Sequence, residues 1–242
     1  MESDNEMGFL DHLEELRWRI IKALIGVVLG GVLVGVFIDW IMNNIIFAPA
    51  ANSQPPLSII NLRPYGQFII YMEVILIGGA VVSVPNIIYQ IWKFVEPALK
   101  ENEKRYVTGV VIFTSVCFIT GVVFSYFLLL PAALGFFANF GSTIIENKIS
   151  ADEYMSFVLS LVLASGLVFE LPMLSFFLSK IGLLKPSFMR KYRKHAIVVI
   201  LLIAGIVTPG PDITSQVMLG IPLLGLYELS ILICKYSQKK TS

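Results

Sequence analysis

Charged residues are scarce in this sequence. Asp, Glu, Lys and Arg make up 14% of its 242 residues, while 56% are hydrophobic. Soluble domains carry about 25% charged residues. The few charges also cluster between long uncharged runs, and a run of about 18 apolar residues predicts a transmembrane helix. The composition therefore excludes a soluble domain and predicts one integral membrane domain, 1–242.

Cysteine and histidine are equally rare, with two residues of each. Cys117 and Cys234 are expected at different depths, which argues against a disulfide, and no Cys/His cluster has the spacing of a metal site. His12 and His195 lie at the margins of apolar runs, without a nucleophile placed beside them. The sequence also lacks a nucleotide-binding glycine-rich loop and a basic stripe suited to nucleic acid. These absences argue against an enzyme, a cofactor, a metal ion or a nucleic-acid partner.

Six apolar runs are present, so the predicted fold is an all-α membrane protein with six transmembrane helices. The spans are expected at about 20–40, 67–94, 106–130, 154–179, 196–207 and 213–234. Gly78-Gly79 and Pro85 are expected to break the second span, and Pro131 is expected to end the third. No internal repeat is visible, which argues against the inverted-repeat plan of many transporters.

The basic residues predict the orientation. Sixteen of the 18 Lys and Arg residues fall in the N-terminal segment, the links after the second and fourth spans, and the C-terminal tail. Only Arg63 and Lys148 are left for the opposite side. Because Lys and Arg accumulate in cytoplasmic loops, both termini are predicted to be cytoplasmic. The chain is then a multi-pass protein of the cytoplasmic (inner) membrane.

The N-terminal segment combines charge with helical periodicity. Asp11 and Glu14 have the spacing of a capping box, so a helix is predicted to begin there and to continue into the first span. Glu15 and Arg19 are four residues apart on this helix. The simplest interpretation of that spacing is an ordinary ion pair that supports the helix.

Five motifs follow one another along the chain: Phe9-Leu-Asp-His-Leu-Glu-Glu-Leu-Arg17, Gln90-Ile-Trp-Lys-Phe-Val-Glu-Pro-Ala-Leu99, Gly121-Val-Val-Phe-Ser-Tyr-Phe127, Phe169-Glu-Leu-Pro172 and Thr208-Pro-Gly-Pro-Asp-Ile-Thr-Ser-Gln216. In this order they resemble the TatC family, the polytopic core subunit of the twin-arginine protein translocase. The glycine-proline spacing before Asp212 and the acidic Glu73 in the second span depart from the family's pattern. No role is transferred to Glu73.

The resemblance implies a receptor and core scaffold for protein export. Such a protein binds twin-arginine signal peptides at the cytoplasmic face and exports folded proteins. Its expected partners are TatA- and TatB-like single-span proteins, further copies of itself, and membrane lipid. The resemblance assigns the two arginines to Glu15 and Glu103, since a planar guanidinium can bind a carboxylate through two hydrogen bonds. The other residues expected at this site are Leu16, Arg17, Phe94, Pro97 and Leu99. Either carboxylate could instead pair with a neighbouring base.

Glu170 is an acid near the middle of the predicted fourth span. A charge there costs at least about 2.5 kcal/mol on insertion scales, which makes this residue a functional candidate. By resemblance, Glu170 lies on a concave surface that receives a polar residue of a single-span partner, and Gln216 is a partner contact. Asp212 could bind a partner or cap the sixth span. Alternatively, Glu170 is a protonated acid bonded to a serine or a backbone carbonyl within the bundle. Glu228 is expected near a span end.

A proton-coupled small-solute transporter that uses Glu170 is the alternative function. Inverted repeats and paired intramembrane acids would favour it, and the sequence has one central acid and no repeat.

The last two spans are expected to be short. Ala196 to Thr208 offers only 13 residues before Pro209, about 20 Å of helix against a hydrocarbon core of about 30 Å. The sixth span begins with the polar Ser215 and Gln216 and is interrupted by Glu228, which leaves Val217 to Tyr227 uncharged. We therefore expect the bilayer to thin beside these two spans.

Overall fold

Helices make up most of the described chain. The computed structural model describes residues 9–98, 107–140, 148–180, 182–207 and 213–239. The α-helices are α1 Phe9–Val36, α2 Ile38–Ile41, α3 Ala48–Ala51, α4 Gly66–Val82, α5 Val84–Val95, α6 Val107–Phe124, α7 Leu130–Asn139, α8 Ala151–Val168, α9 Leu171–Lys180, α10 Pro186–Lys191, α11 Arg193–Val207 and α12 Ile213–Lys239. Two π-helical segments, Met42–Ile46 and Ser125–Leu129, a 3₁₀ turn, Glu96–Ala98, and two strands, β1 Ser58–Ile60 and β2 Lys148–Ser150, complete the elements.

Four helical stretches are long and apolar enough to cross a bilayer. They are Asp11–Val36, Gly109–Asn139, Ala151–Lys180 and Leu219–Tyr236. The pair α4 and α5, bent by 53°, is a fifth if it counts as one span. The predicted span at 196–207 corresponds to α11, whose 15 residues give about 22 Å of helix against a core of about 30 Å. The described chain is therefore predominantly helical, with four candidate membrane spans, or five with the bent pair.

The chain divides into two compact units. The first comprises the described parts of Met1–Phe37 and Glu73–Ser115, and the second those of Ile38–Met72 and Val116–Ser242.

In the first unit, α1 and α4 approach each other through glycines. A Cβ on Gly79 would lie 2.5 Å from the Gly31 backbone nitrogen, and one on Gly30 would lie 2.6 Å from the Gly79 carbonyl oxygen. Small residues allow membrane helices this close approach. The Gly78-Gly79 pair therefore lies inside a helix, and the prediction that it breaks the second span is wrong.

The predicted break near Pro85 is confirmed. The bend lies at Ser83, between α4 and α5, where the Ser83 hydroxyl donates a 2.6 Å hydrogen bond to the Gly26 carbonyl oxygen. Pro85 occupies the first turn of α5, where its missing N–H is not needed by the helix.

Two tyrosines of the second unit, one buried and one partly buried, donate hydrogen bonds to backbone carbonyls. The Tyr154 hydroxyl donates to the Ile46 carbonyl oxygen at 2.6 Å, and the Tyr126 hydroxyl donates to that of Ile45 at 2.9 Å. Both acceptors belong to the π-helical segment Met42–Ile46. Tyr154 is 1% exposed, so these bonds pair carbonyl groups that would otherwise be costly to bury.

A short parallel strand pair also belongs to this unit. Ser58 of β1 lies opposite Lys148 of β2, and an ion pair of 3.5 Å joins Arg63 to Asp152. These contacts connect the segment before α4 to the start of α8.

The prediction that Pro131 ends the third span is wrong. The π-helical turn Ser125–Leu129 leads directly into α7, and Pro131 lies in the first turn of that helix. Proline is tolerated at such a position because its missing N–H needs no partner there. The helical stretch therefore continues to Asn139.

Two further boundaries differ from the predicted spans. The fourth span is interrupted at Phe169 and Glu170, between α8 and α9. The sixth lies in α12, which has 27 residues, about 40 Å of helix, because the helix continues through the polar tail beyond Cys234. The apolar part of α12, Leu219–Tyr236, has 18 residues. Cys117 and Cys234 are both free.

Candidate functional site

Glu15 lies on α1, in the first unit, and is paired with Arg19. Arg19 donates from Nη2 at 3.0 Å and from Nε at 3.3 Å, both to Oε1 of Glu15. The two side chains are 21% and 23% exposed, so the pair is partly buried and still accessible. The helical spacing of Glu15 and Arg19 thus produces the expected ion pair. Asp11 lies inside the first turn of α1, so the predicted start of the helix at a capping box is wrong.

The Arg19 guanidinium also reaches α5. Its Nη1 donates to Oε1 of Gln90 at 3.3 Å. Gln90 donates in turn to Oδ1 of Asn86 at 3.3 Å, and Asn86 donates to the Lys22 carbonyl oxygen at 3.2 Å. This chain of side-chain amides connects α5 to α1 in two places, and Gln90 is only 8% exposed. The amide chain orients Arg19, and Arg19 orients Glu15.

The neighbouring pair on α1 is different in character. Arg17 contacts Glu14 at 3.4 Å, and both side chains are 64% exposed. Arg17 also lies 5.6 Å from the ring centroid of Trp18. Exposed pairs of this kind contribute little to stability, so Arg17 remains available to solvent and to ligands. Leu16 lies between these charged residues and is partly buried.

Aromatic residues line the same end of the first unit. The ring of Phe94 stacks on that of His12, with centroids 4.3 Å apart. Lys93 pairs with Glu96 at 2.8 Å, and Pro97 follows as an exposed residue of the 3₁₀ turn. Of the other residues predicted at this site, Leu99 and Glu103 lie outside the described residues.

Glu170 lies in the second unit, at the junction of α8 and α9. Its carbonyl oxygen accepts the Leu174 amide at 2.9 Å, which begins α9, and Pro172 follows as the second residue of that helix. The break follows from proline chemistry, because Pro172 has no amide to donate to the preceding turn. Both carboxyl oxygens of Glu170 are buried, and neither has a hydrogen-bond partner among the described residues.

The chain just before Glu170 packs closely on α6. A Cβ on Gly121 would lie 2.6 Å from the Ser165 carbonyl oxygen and 2.9 Å from the ring of Phe169. The Phe169 ring lies 5.3 Å from that of Phe124, centroid to centroid. The hydroxyl of Ser165 is buried and, like the carboxyl of Glu170, lacks a partner within the described part of the chain. Among the described residues, the Glu170 carboxyl is therefore not bonded to a serine or a backbone carbonyl, which was the expected alternative.

The side chain of Gln216 forms a hydrogen bond within the chain. Its Nε2 donates a 2.6 Å hydrogen bond to the Leu201 carbonyl oxygen, and a Cβ on Gly205 would lie 3.1 Å from the same nitrogen. Gln216 thus joins α12 to α11. Asp212 lies outside the described residues.

Glu228, which was predicted near a span end, and Glu73 have different surroundings. Glu228 pairs with Arg193 at 2.6 Å, and the two side chains are 51% and 47% exposed. This ion pair is a second link between α12 and α11. Glu73 is partly buried on α4.

The sequence predictions assigned no role to several residues at these sites. Gln90 is part of a quoted motif, and Asn86 precedes it by four residues on the same helical face, a spacing that could have indicated the amide chain. A cavity of about 410 Å³ in the second unit, lined by Met42, Ile70 and Tyr71 among others, was also not predicted. No cluster of three His, Cys, Asp or Glu residues suited to a metal ion occurs in the described ranges.

Comparison with known proteins places this geometry in context. The family model of the Sec-independent protein translocase protein TatC matches residues 11–222. The TatC protein of Carboxydothermus hydrogenoformans is 35% identical over 98% of this chain and 96% of its own length. That of Helicobacter pylori is 40% identical over 93% of this chain and 86% of its own length. A crystal structure of the twin-arginine translocase receptor TatC is 37% identical, with a TM-score of 0.84 over 94% of this chain and 99% of that one.

Proposed function

Because the chain belongs to the TatC family of Sec-independent protein translocase proteins, we propose that it binds twin-arginine signal peptides as the receptor subunit of its translocase. Family membership makes it a component of a protein-transport system in a membrane, a transport protein rather than an enzyme. A relative of the same fold is described as a twin-arginine translocase receptor, which supports the proposed role.

The observation that carries the proposal is the guanidinium already bound at Glu15. Glu15 and Arg19 show that this carboxylate, at about one-fifth exposure, accepts two hydrogen bonds from an arginine. A partly buried carboxylate binds a guanidinium more strongly than a fully solvated one, since water screens the charges less. In the proposed complex one arginine of the peptide binds Glu15 and the other binds Glu103. Leu16, Arg17, Phe94, Pro97 and Leu99 shape the surrounding surface.

The proposal includes a topology. We place both termini in the cytoplasm, on the basis of the asymmetric distribution of Lys and Arg, and count six spans in a single integral membrane domain, with α11 as the short fifth. The Glu15 site then lies at the cytoplasmic margin of the bilayer, where a newly made precursor arrives.

A second site of the proposal lies around Glu170. Its buried carboxyl, which has no partner among the described residues, is suited to a partner helix that brings a polar side chain into the bilayer. An unsatisfied polar group in a dry environment costs free energy until it is paired. The partners are single-span proteins of the TatA and TatB type, with Gln216 and Asp212 as further contacts. Copies of the chain itself also associate in the receptor complex, in contact with membrane lipid.

A comparison of two peptides tests the proposed function. A fluorescent signal peptide with two arginines and the same peptide with two lysines are titrated against the purified protein in lipid nanodiscs. The proposal predicts at least about tenfold tighter binding of the arginine peptide, since lysine offers no planar pair of donors. Equal affinities would contradict it.

A further inference from the structure

Arg19 occupies the carboxylate that the proposed function assigns to the signal peptide. We infer that Arg19 competes with the signal peptide for Glu15, so that a signal-peptide arginine must displace Arg19 from this carboxylate. After displacement, Arg19 stays hydrogen-bonded to Gln90. The inference rests on the proposed function, because it concerns the same carboxylate, and it adds a residue that sets the affinity of the site.

The geometry of the pair explains why displacement is needed. Both donors of Arg19, Nε and Nη2, bind the same oxygen of Glu15, Oε1. A bidentate arginine–carboxylate pair uses both carboxylate oxygens. A peptide guanidinium can therefore form its full pair with Glu15 only if Arg19 gives up Oε1. If Arg19 stayed, two guanidinium groups would also lie side by side around one carboxylate, and like charges repel.

Gln90 provides a second acceptor for the displaced guanidinium. Arg19 already donates from Nη1 to Oε1 of Gln90, a different nitrogen from the two that bind Glu15. The amide of Gln90 is fixed from the other side by its bond to Asn86 and is 8% exposed. Arg19 can therefore leave Glu15 without losing every partner.

Glu14 and Arg17 show that this arrangement is specific to one pair. They lie on the same helix with similar spacing, but both side chains are 64% exposed and their single contact is 3.4 Å long. Such a pair opens at little cost. The partly buried pair of Glu15 and Arg19 costs more to open, so the competition takes place at Glu15.

The consequence is a receptor that binds its ligand less tightly than its carboxylate would allow. Every ligand that needs both oxygens of Glu15 competes with a guanidinium tethered four residues away. A transport receptor must release the signal peptide after delivery, and weaker binding shortens the lifetime of the complex.

Three substitutions test the inference in the nanodisc titration with the twin-arginine peptide. Arg19→Gln removes the competing guanidinium. Arg19→Lys keeps the charge but removes the planar donors, so it separates competition from simple repulsion. Lys22→Gln removes one positive charge from the same helix, at a residue whose side chain is not part of the amide chain, and is the matched control. Thermal unfolding of each variant shows whether it is folded.

The expected result is about fivefold tighter binding for Arg19→Gln, between the effect of an exposed ion pair and that of a charged hydrogen bond. Arg19→Lys should bind about twofold to threefold tighter by the same reasoning, and Lys22→Gln should match the unmodified protein within about twofold, as expected of a screened surface charge. Unchanged or weaker binding by both folded Arg19 variants would overturn the inference. An equal gain in Lys22→Gln would also overturn it, because net charge would then explain the effect.

Glu15→Gln in the same titration distinguishes a failure of the proposed signal-peptide site from a failure of the competition by Arg19. If it weakens binding while the Arg19 variants show no gain, the proposed function survives and the competitor does not. If Glu15→Gln binds as well as the unmodified protein, both the proposed site and the inference are wrong.

Discussion

The backbones of Gly31 and Gly79 are in contact: a Cβ on Gly79 would lie 2.5 Å from the Gly31 nitrogen. This approach of α1 to α4 precedes the bend at Ser83, after which α5 brings Gln90 to Arg19. We therefore expect the close approach of α1 and α4 at these glycines to support the position of α5 at the candidate guanidinium site.

Gly79→Ala should therefore destabilise the first unit. The added methyl group meets backbone atoms, which cannot move aside as a side chain can, and overpacking of this kind costs about 3 kcal/mol. The measurement is the denaturant midpoint of the purified protein in one detergent. Gly109→Ala on α6 is the control, because no atom of the described residues lies within 4 Å of its Cβ position. That variant should be neutral or gain up to about 1 kcal/mol from helix propensity, and equal losses in both variants would refute the packing argument.

We expect the Glu170 carboxyl to lower the stability of the isolated protein and to promote association with its partners. Glu170→Leu removes a buried carboxyl without a partner in the described chain, so the isolated protein should gain about 1–3 kcal/mol of unfolding free energy. The same variant should lose co-purification with its single-span partners. A loss of both stability and association would mean that the carboxyl supports the fold itself.

Replacing Glu170 by Gln or Ala addresses its chemistry. Gln keeps a hydrogen-bonding group and should largely preserve partner association and transport, whereas Ala should weaken both. The readouts are co-purification and export of a folded reporter. If Gln abolished export as fully as Ala while complexes stayed intact, a proton-relay role, as in the alternative of a proton-coupled transporter, would be the better account.

Lengthening α11 tests whether its short length matters. Four leucines inserted between Ile200 and Leu201 add about 6 Å of helix, which reduces the mismatch that we expect to thin the bilayer. Signal-peptide binding should survive the insertion, and export should fail. Unchanged export would make the short helix an incidental feature.

A control is needed for this insertion because it also separates two contacts with α12. Arg193 pairs with Glu228, and Gln216 bonds to the Leu201 carbonyl oxygen; after the insertion these contacts cannot both persist. Arg193→Gln and Gln216→Leu each remove one contact without changing the helix length. If either alone stopped export, lost contacts rather than length would explain the result.

Local features of the fold were predictable from the sequence, and long-range contacts were not. The Glu15–Arg19 pair and the break near Pro85 follow from helical spacing and proline chemistry, which act within a few residues. The bond between Tyr154 and the Ile46 carbonyl oxygen joins residues 108 positions apart. Nothing in either local sequence marks that contact, because it depends on how separate segments meet.

The candidate site divides in the same way. Its charged residues can be identified from motifs, but the role of Gln90 depends on the packing of α5 on α1. The predicted partner contact of Gln216 stays a prediction, whereas the bond from its amide to the Leu201 carbonyl oxygen could not be foreseen from the motif. Proline lacks an N–H, so Pro131 predicts a helix end, but the π-helical turn before it places Pro131 in the first turn of a new helix, where the N–H is not needed. Sequence patterns identify groups that can react or bind, whereas packing decides which groups they meet.

The most direct test of the account is the arginine preference of a Glu15→Ala, Glu103→Ala double variant. Twin-arginine and twin-lysine forms of one signal peptide are titrated against this variant, the unmodified protein and a Glu153→Ala control that removes an exposed acid from the start of α8. If the two carboxylates bind guanidinium groups, the double variant should lose about 1.5–3 kcal/mol of binding free energy to the twin-arginine peptide for each carboxylate removed. It should then bind both peptides with equal affinity, and the control should keep its preference. A double variant that still prefers arginine would place the binding site elsewhere and contradict the account.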